Sequence, residues 1–308
     1  MTVSEFPIVR RRHPWRWIST IIMLALAAAV AAHVSQNPVF SFQSVADYLF
    51  EPRIISGVLI TIYVTCGSML FGLVLGVALA VMRISDNPVM SAASGLFIWF
   101  FRGTPVLVQL IFWFNIGIIF PAITLALPGG DILFHVSTNS LMTPAVTALL
   151  GLGLNESAYM SEIVRAGILS VDDGQREAAK ALGLPPSKVM SRIVLPQALR
   201  VIIPPTGNQF VSLLKTSSLV SVIAAGDLLT QATRIYNENF RILELLAVAS
   251  LWYLLLTTLA NIAQHYIERR YSRGFVDRPK QSFFGTVKIA AWRTRAFPAG
   301  KQGAARHD

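Results

Sequence analysis

Residues 177–196 read EAAKALGLPPSKVMSRIVLP, and they interrupt a chain otherwise built from long apolar segments. Residues 175–182 are strongly helix-forming. Ser170-Val-Asp172-Asp173, just ahead, offers capping side chains and negative charge where a helix N-terminus favours both. Gly183 falls where a left-handed C-terminal cap is expected. Pro185-Pro186 restarts the chain, and residues 187–195 are predicted as a second short helix that Pro196 stops. Ala178 and Ala179 are expected to make a small-residue face, with Arg176 and Glu177 at its rim. Such a segment is either a solvated loop with incidental helicity or a compact element that passes force to a partner. The residues alone leave both open.

The rest of the chain decides the class. Of 308 residues, 54% are hydrophobic and only 14% charged, and the mean hydropathy is +0.56. That is too apolar for an ordinary soluble domain. Residues 17–34, 54–82, 103–130 and 245–264 form apolar runs of the length that crosses a bilayer as helix. Residues 142–169 and 201–229 are further candidates carrying a few polar groups. The expectation is an all-α integral membrane protein of about six transmembrane helices, because lipid leaves no partner for unpaired backbone groups. A cleaved signal peptide is the rival reading of the first 34 residues. Its apolar run is long for one, and His33-Val-Ser-Gln is a poor cleavage site.

A net charge of +10 could suggest nucleic acid, but its placement argues otherwise. With six spans and the N-terminus inside, the inside segments are 1–16, 83–102, 165–200 and 268–308. They hold 22 of the 26 Lys and Arg residues. Arg53, Arg234 and Arg241 fall outside, and Lys215 falls in a span. This bias expects both termini in the cytoplasm and the basic stretches on anionic lipid, with no nucleic-acid role. Cys66 is the single cysteine, so no disulfide can form within the chain. The five histidines are scattered without metal-ligand spacing, and no cofactor is implied.

Residues 1–16 read as a basic N-terminus, 17–53 as a first span with its external loop, 54–270 as the main transmembrane domain, and 271–308 as a cytoplasmic tail. Within the main domain, Gly72-x-x-x-Gly76 would permit close helix packing. Asp86-Asn87-Pro88 marks a tight inside turn, and Pro128-Gly129-Gly130 marks a turn in an outside connection. A fifth span is expected to begin at Pro204-Pro205.

Glu177-Ala178-Ala179, then Gly183 and the closing Ile193-x-Leu195-Pro196, resembles the EAA loop of ABC importer permeases. Three more blocks extend the likeness over roughly residues 54–270. Phe101-Arg102-Gly103-Thr104-Pro105 resembles the segment that opens a span in permeases for polar amino acids. NESAYMSEIVRAGI at 155–168 and LPQALRVIIPPTGNQFVSLLKTSS at 195–218 resemble two others. Together they point to the polar amino acid branch of histidine and glutamine permeases. Ala166 and Asp172 depart from its usual glycine and proline. The resemblance implies a type I importer fold of five core helices, so the first span is an N-terminal addition.

It also implies a half-transporter in the bacterial inner membrane. Its partners would be a second permease subunit, identical or homologous, a cytoplasmic ATPase dimer, and an extracytoplasmic solute-binding protein that delivers an amino acid. Glu177, Ala178, Ala179 and Gly183, within residues 172–200, would couple to the ATPase. The chain carries no G-x-x-x-x-G-K-[ST] phosphate loop, so it should not itself hydrolyse ATP.

Ionisable groups in the fourth span suggest a polar pathway. Asn155, Tyr159 and Glu162 recur at i, i+4 and i+7 on one helix face, where amide, phenol and carboxylate could orient an amino acid zwitterion. Alternatively Glu162 pairs with Arg165. Glu156 would be costly unpaired and is expected to face the pathway or a subunit interface. Two carboxylates lean the reading toward cationic amino acids. Lys215 could partner Glu156 or the substrate, or hold a structural pair. Thr104 and Gln109 could line the path or simply bond between helices. An ion-coupled secondary transporter is the alternative function. An intramembrane enzyme lacks a nucleophile–base pair.

Overall fold

The computed structural model describes residues 14–36, 40–126 and 132–271. The basic leader before Pro14, the tail beyond Tyr271 and the Pro128-Gly129-Gly130 turn lie outside them. In chain order the elements are α1 (Pro14–Gln36), α2 (Phe42–Leu49), α3 (Pro52–Ile84), α4 (Pro88–Gly103) and α5 (Val106–Phe114). A hairpin of β1 (Ala122–Ala126) and β2 (Ile132–Ser137) follows, then α6 (Thr138–Leu141) and α7 (Pro144–Leu169). The polar segment holds α8 (Asp173–Ala181) and α9 (Pro186–Val189). Then come α10 (Leu195–Thr216), α11 (Leu228–Asn239) and α12 (Ile242–Tyr271).

Local sequence explains most helix starts. Proline occupies the first turn of α3, α4 and α7, where a missing N–H costs nothing. Asn87 Oδ1 accepts from the amides of Val89 at 2.9 Å and Met90 at 3.4 Å, which makes the predicted turn a cap. Among the described residues, α3 and α12 can each cross a membrane by length and apolarity, and two bent pairs bring the number to as many as four; the expected six is not reached by this measure. Although α7 is 26 residues long, Glu156, Ser157 and Ser161 are buried within it. Its polarity serves the interior of the fold rather than lipid.

The centre is the pair α3 and α7, which run parallel. A Cβ added at Gly72 would lie 2.8 Å from Glu156 Cβ, and one at Gly76 would lie 2.7 Å from Met160 Cβ. The Gly-x-x-x-Gly spacing therefore lets the backbones touch where any side chain would collide. A core that includes Leu110, Leu152, Val164 and Leu213 surrounds this pair. A second buried cluster joins Ile54 of α3, Leu228 and Ile235 of α11, and Leu245 of α12.

Three expectations are corrected. Residues 103–130 are not one span: α4 and α5 meet at a bend of 103°, and an antiparallel hairpin with Ala122 opposite Ser137 follows. The fold remains helical, with this one small two-stranded sheet among the described residues set between α5 and α6. Pro196 does not stop a helix. It sits in the first turn of α10, after one π turn over Met190–Val194 that widens the backbone ahead of the missing N–H. Pro204 and Pro205 lie inside α10 rather than at its start.

Candidate functional site

The bend between α4 and α5 builds the site. Pro105 cannot donate a backbone N–H and forces the residue before it out of the helical region; Thr104 is extended at φ −112°, ψ 145°. That leaves carbonyls at the end of α4 without helical partners. Gln109 supplies them: its Nε2 lies 3.0 Å from the Phe101 carbonyl, 3.1 Å from the Thr104 carbonyl and 2.7 Å from Thr104 Oγ1. Asn155 Nδ2 donates from α7 to the Phe101 carbonyl at 2.8 Å and to Gln109 Oε1 at 3.2 Å. Two amides thus hold open a helix break that lipid would not tolerate exposed.

The break opens onto a cavity of about 480 Å³, the size of a small-molecule site. Arg102 and Thr104 line it from the α4 end, Asn155, Glu156 and Tyr159 from α7, and Gln209 from α10. Glu156 is 2% exposed. Its Oε2 accepts from Gln209 Nε2 at 3.1 Å, while Oε1 is buried without a hydrogen-bond partner. An unpartnered carboxylate oxygen in a desolvated setting strongly attracts a cationic donor. The Arg102 guanidinium lies over the Tyr159 ring, 5.2 Å from its centroid.

Of the residues expected from sequence, the cavity gathers Asn155, Glu156, Tyr159 and Thr104. Glu162 does not join them. It accepts from Arg165 at 2.8 Å and lies outside the lining, so the ion-pair alternative is the observed one. Gln109 is buried and acts as the brace of the break rather than as lining. Lys215 is exposed on α10 and takes no part; Gln209 is the partner of Glu156 instead. Gln209, Ser212 and Thr216 were missed, yet their i, i+3, i+7 spacing marks one polar stripe of α10 facing the cavity.

At the other end of α7 the polar segment adopts the predicted caps. Asp172 Oδ1 accepts from the Gly174 amide at 2.8 Å, and Gly183 ends α8 with φ +75°. Arg176 Nη2 donates to the Ile168 carbonyl, tying α8 to the last turn of α7. Glu177, Ala178 and Gly183 are exposed, whereas Ala179 is buried against the core. The two alanines therefore do not share one exposed face: neighbours in a helix point about 100° apart.

The model of binding-protein-dependent transport system inner membrane components matches residues 72–273, which span α7, the polar segment and α10. The chain belongs to this family. It is 44% identical over 264 residues to the arginine transport system permease protein ArgU of Corynebacterium glutamicum, covering 85% of this chain and 82% of that one. To the L-cystine transport system permease protein TcyB of Bacillus subtilis it is 37% identical over 225 residues, 73% of this chain and 88% of that one. Among solved structures, an amino acid ABC transporter crystallised with histidines superposes with a TM-score of 0.64 at 32% identity, covering 75% of this chain and 99% of that one.

This family member is accordingly a multi-pass inner-membrane permease subunit of an ABC importer with the type I fold. It is not an enzyme: ATP hydrolysis belongs to a separate subunit, and a solute-binding protein belongs to the same system. Nothing among the relatives supports the ion-coupled alternative.

Proposed function

We propose that the cavity between α4, α7 and α10 is the transit site for a polar amino acid with a cationic group, in a permease that imports it at the expense of ATP hydrolysed by its partner. The carrying observation is Glu156, a residue lining the cavity of about 480 Å³ whose buried side chain keeps one carboxylate oxygen without a hydrogen-bond partner. An ammonium or guanidinium group delivered there would complete its hydrogen bonding. The arginine-transporting relative at 44% identity and the amino acid transporter crystallised with histidines support the same substrate class.

In this reading residues 54–270 form the permease domain and α1 is an addition to it, with both termini cytoplasmic by the distribution of Lys and Arg. A second permease subunit completes the pathway. Residues 172–200 dock on a cytoplasmic ATPase dimer, with Glu177, Ala178 and Gly183 on the exposed side. Asn155 and Tyr159 line the path, and Gln109 and Thr104 hold its walls.

The test is ATP hydrolysis by the permease reconstituted with its ATPase and binding protein, scanned over the twenty amino acids. Stimulation by basic amino acids is expected, with Glu156→Gln lowering it by roughly tenfold to a hundredfold, the worth of a charged hydrogen bond. A flat response from an intact complex would overturn the substrate class.

A further inference from the structure

The same cavity holds a second charge that the ammonium reading leaves unused. Arg102 occupies the last turn of α4, where a cation is favoured by the helix dipole. It lines the cavity, is exposed to it, and makes no hydrogen bond or ion pair with any described residue. Glu162, whose charge it feels from beyond ion-pair distance, is already taken up by Arg165 at 2.8 Å. What positions the guanidinium is the Tyr159 ring, 5.2 Å away, which also lines the cavity. A cation–π contact holds the guanidinium near the ring without using its N–H donors. All five donors remain available, in the fork geometry that receives a carboxylate through two parallel hydrogen bonds.

We infer that Arg102 is a specificity-determining residue that binds the substrate's α-carboxylate, so that the cavity recognises both ends of an amino acid, with Glu156 at the cationic end and Arg102 at the anionic end. The inference rests on the reading of this cavity as the transit site. Its physical basis is charge matching. Glu156, with one carboxylate oxygen unpartnered, and Arg102, with its guanidinium unpaired, line one cavity, and a ligand with both charges matches both residues. A simple amine would leave the guanidinium unpaired, and a simple acid would leave Glu156 unpaired. A guanidinium offers a carboxylate two parallel hydrogen bonds and an ammonium does not, so Arg102→Lys should recover charge but not the planar fork.

The experiment measures binding of L-arginine and of agmatine, its decarboxylated analogue, to the purified permease–ATPase complex by calorimetry, without the binding protein. The intact protein should favour L-arginine by roughly tenfold to a hundredfold, the worth of one charge-assisted pair. Arg102→Met should bring the two ligands within about twofold without weakening agmatine, since it removes a cation from the cavity that a cationic ligand enters; retained agmatine binding also shows that the cavity has kept its shape. Arg102→Lys should retain part of the preference. Glu156→Gln should weaken both ligands alike. If Arg102→Met keeps the preference while Glu156→Gln still weakens both ligands, the role of Arg102 is overturned and the transit site stands. Equal loss of both ligands in Arg102→Met makes the residue merely structural and also overturns the inference. If neither ligand binds the intact protein, or Glu156→Gln changes nothing, the transit site itself is wrong.

Discussion

The chain leaves regular helix at two functional places, and it repairs them in opposite ways. At the break between α4 and α5, the freed carbonyls of Phe101 and Thr104 are met by side chains, one of them from α7, 54 residues further along the chain. At the α8 segment the repairs are local: Asp172 caps two residues ahead, and Gly183 turns the chain with its own backbone. Water explains the difference. Inside a membrane a backbone group without a protein partner has none, so the break persists only where packing brings amides to it. At an aqueous face the backbone can also bond to water, and short-range caps suffice. The break is therefore fixed by the whole fold, and the α8 segment largely by its own sequence.

Substitutions at Gln109, Gly76, Gly183 and Asp172 test that contrast. The largest effect is expected for Gln109→Leu, which orphans the α4 carbonyls; a loss of about 3 kcal/mol should appear as reduced membrane yield and a lower unfolding midpoint in detergent. Equal stability to the parent protein would show that the break does not depend on its brace. Gly76→Val should cost about 2 kcal/mol, because a Cβ there lies 2.7 Å from Met160. Replacing Met160 with alanine in that background should restore part of the loss, as contact between α3 and α7 requires.

Effects in the α8 segment should be smaller and should appear in coupling rather than in assembly. Gly183→Ala places a side chain at φ +75° and should cost about 1 kcal/mol, with ATPase stimulation falling while purified yield is maintained. Asp172→Ala should cost somewhat less, about 0.5–1 kcal/mol, and Asp172→Asn should be close to silent since an amide oxygen caps equally well. If either change abolished membrane insertion, the claim of local autonomy would fail.

The same contrast governs what the sequence disclosed. The caps at Asp172 and Gly183 were legible because cause and effect lie within four residues of each other. The family blocks were legible as spaced patterns, and they mark the elements that carry the cavity. The break was not legible: a hydropathy window reads straight through Gly103-Thr104-Pro105, and its decisive partner, Asn155, is distant in the chain. Glu156 and Glu162 looked similar as carboxylates on one helix. What separates them is Arg165, visible three residues from Glu162, and Gly72, whose missing side chain admits Glu156 between α3 and α10. Pro196 and Pro204-Pro205 misled because proline was read as a boundary, whereas a π turn leads into Pro196 and α10 runs on through Pro204 and Pro205.

The joint at Met190–Val194 carries a mechanical consequence. Because the backbone widens there instead of breaking, α9 and α10 are one continuous rod from the aqueous face to the cavity. Gln209 lies 14 residues beyond Leu195 along that rod, about 21 Å at helical rise. A tilt of about 5° at its foot would swing Gln209 by roughly 2 Å over such a length, enough to part it from a carboxylate 3.1 Å away. If the α8 segment couples to the ATPase as proposed, the contact between Gln209 and Glu156 would sit at the tip of a lever with that segment as its handle.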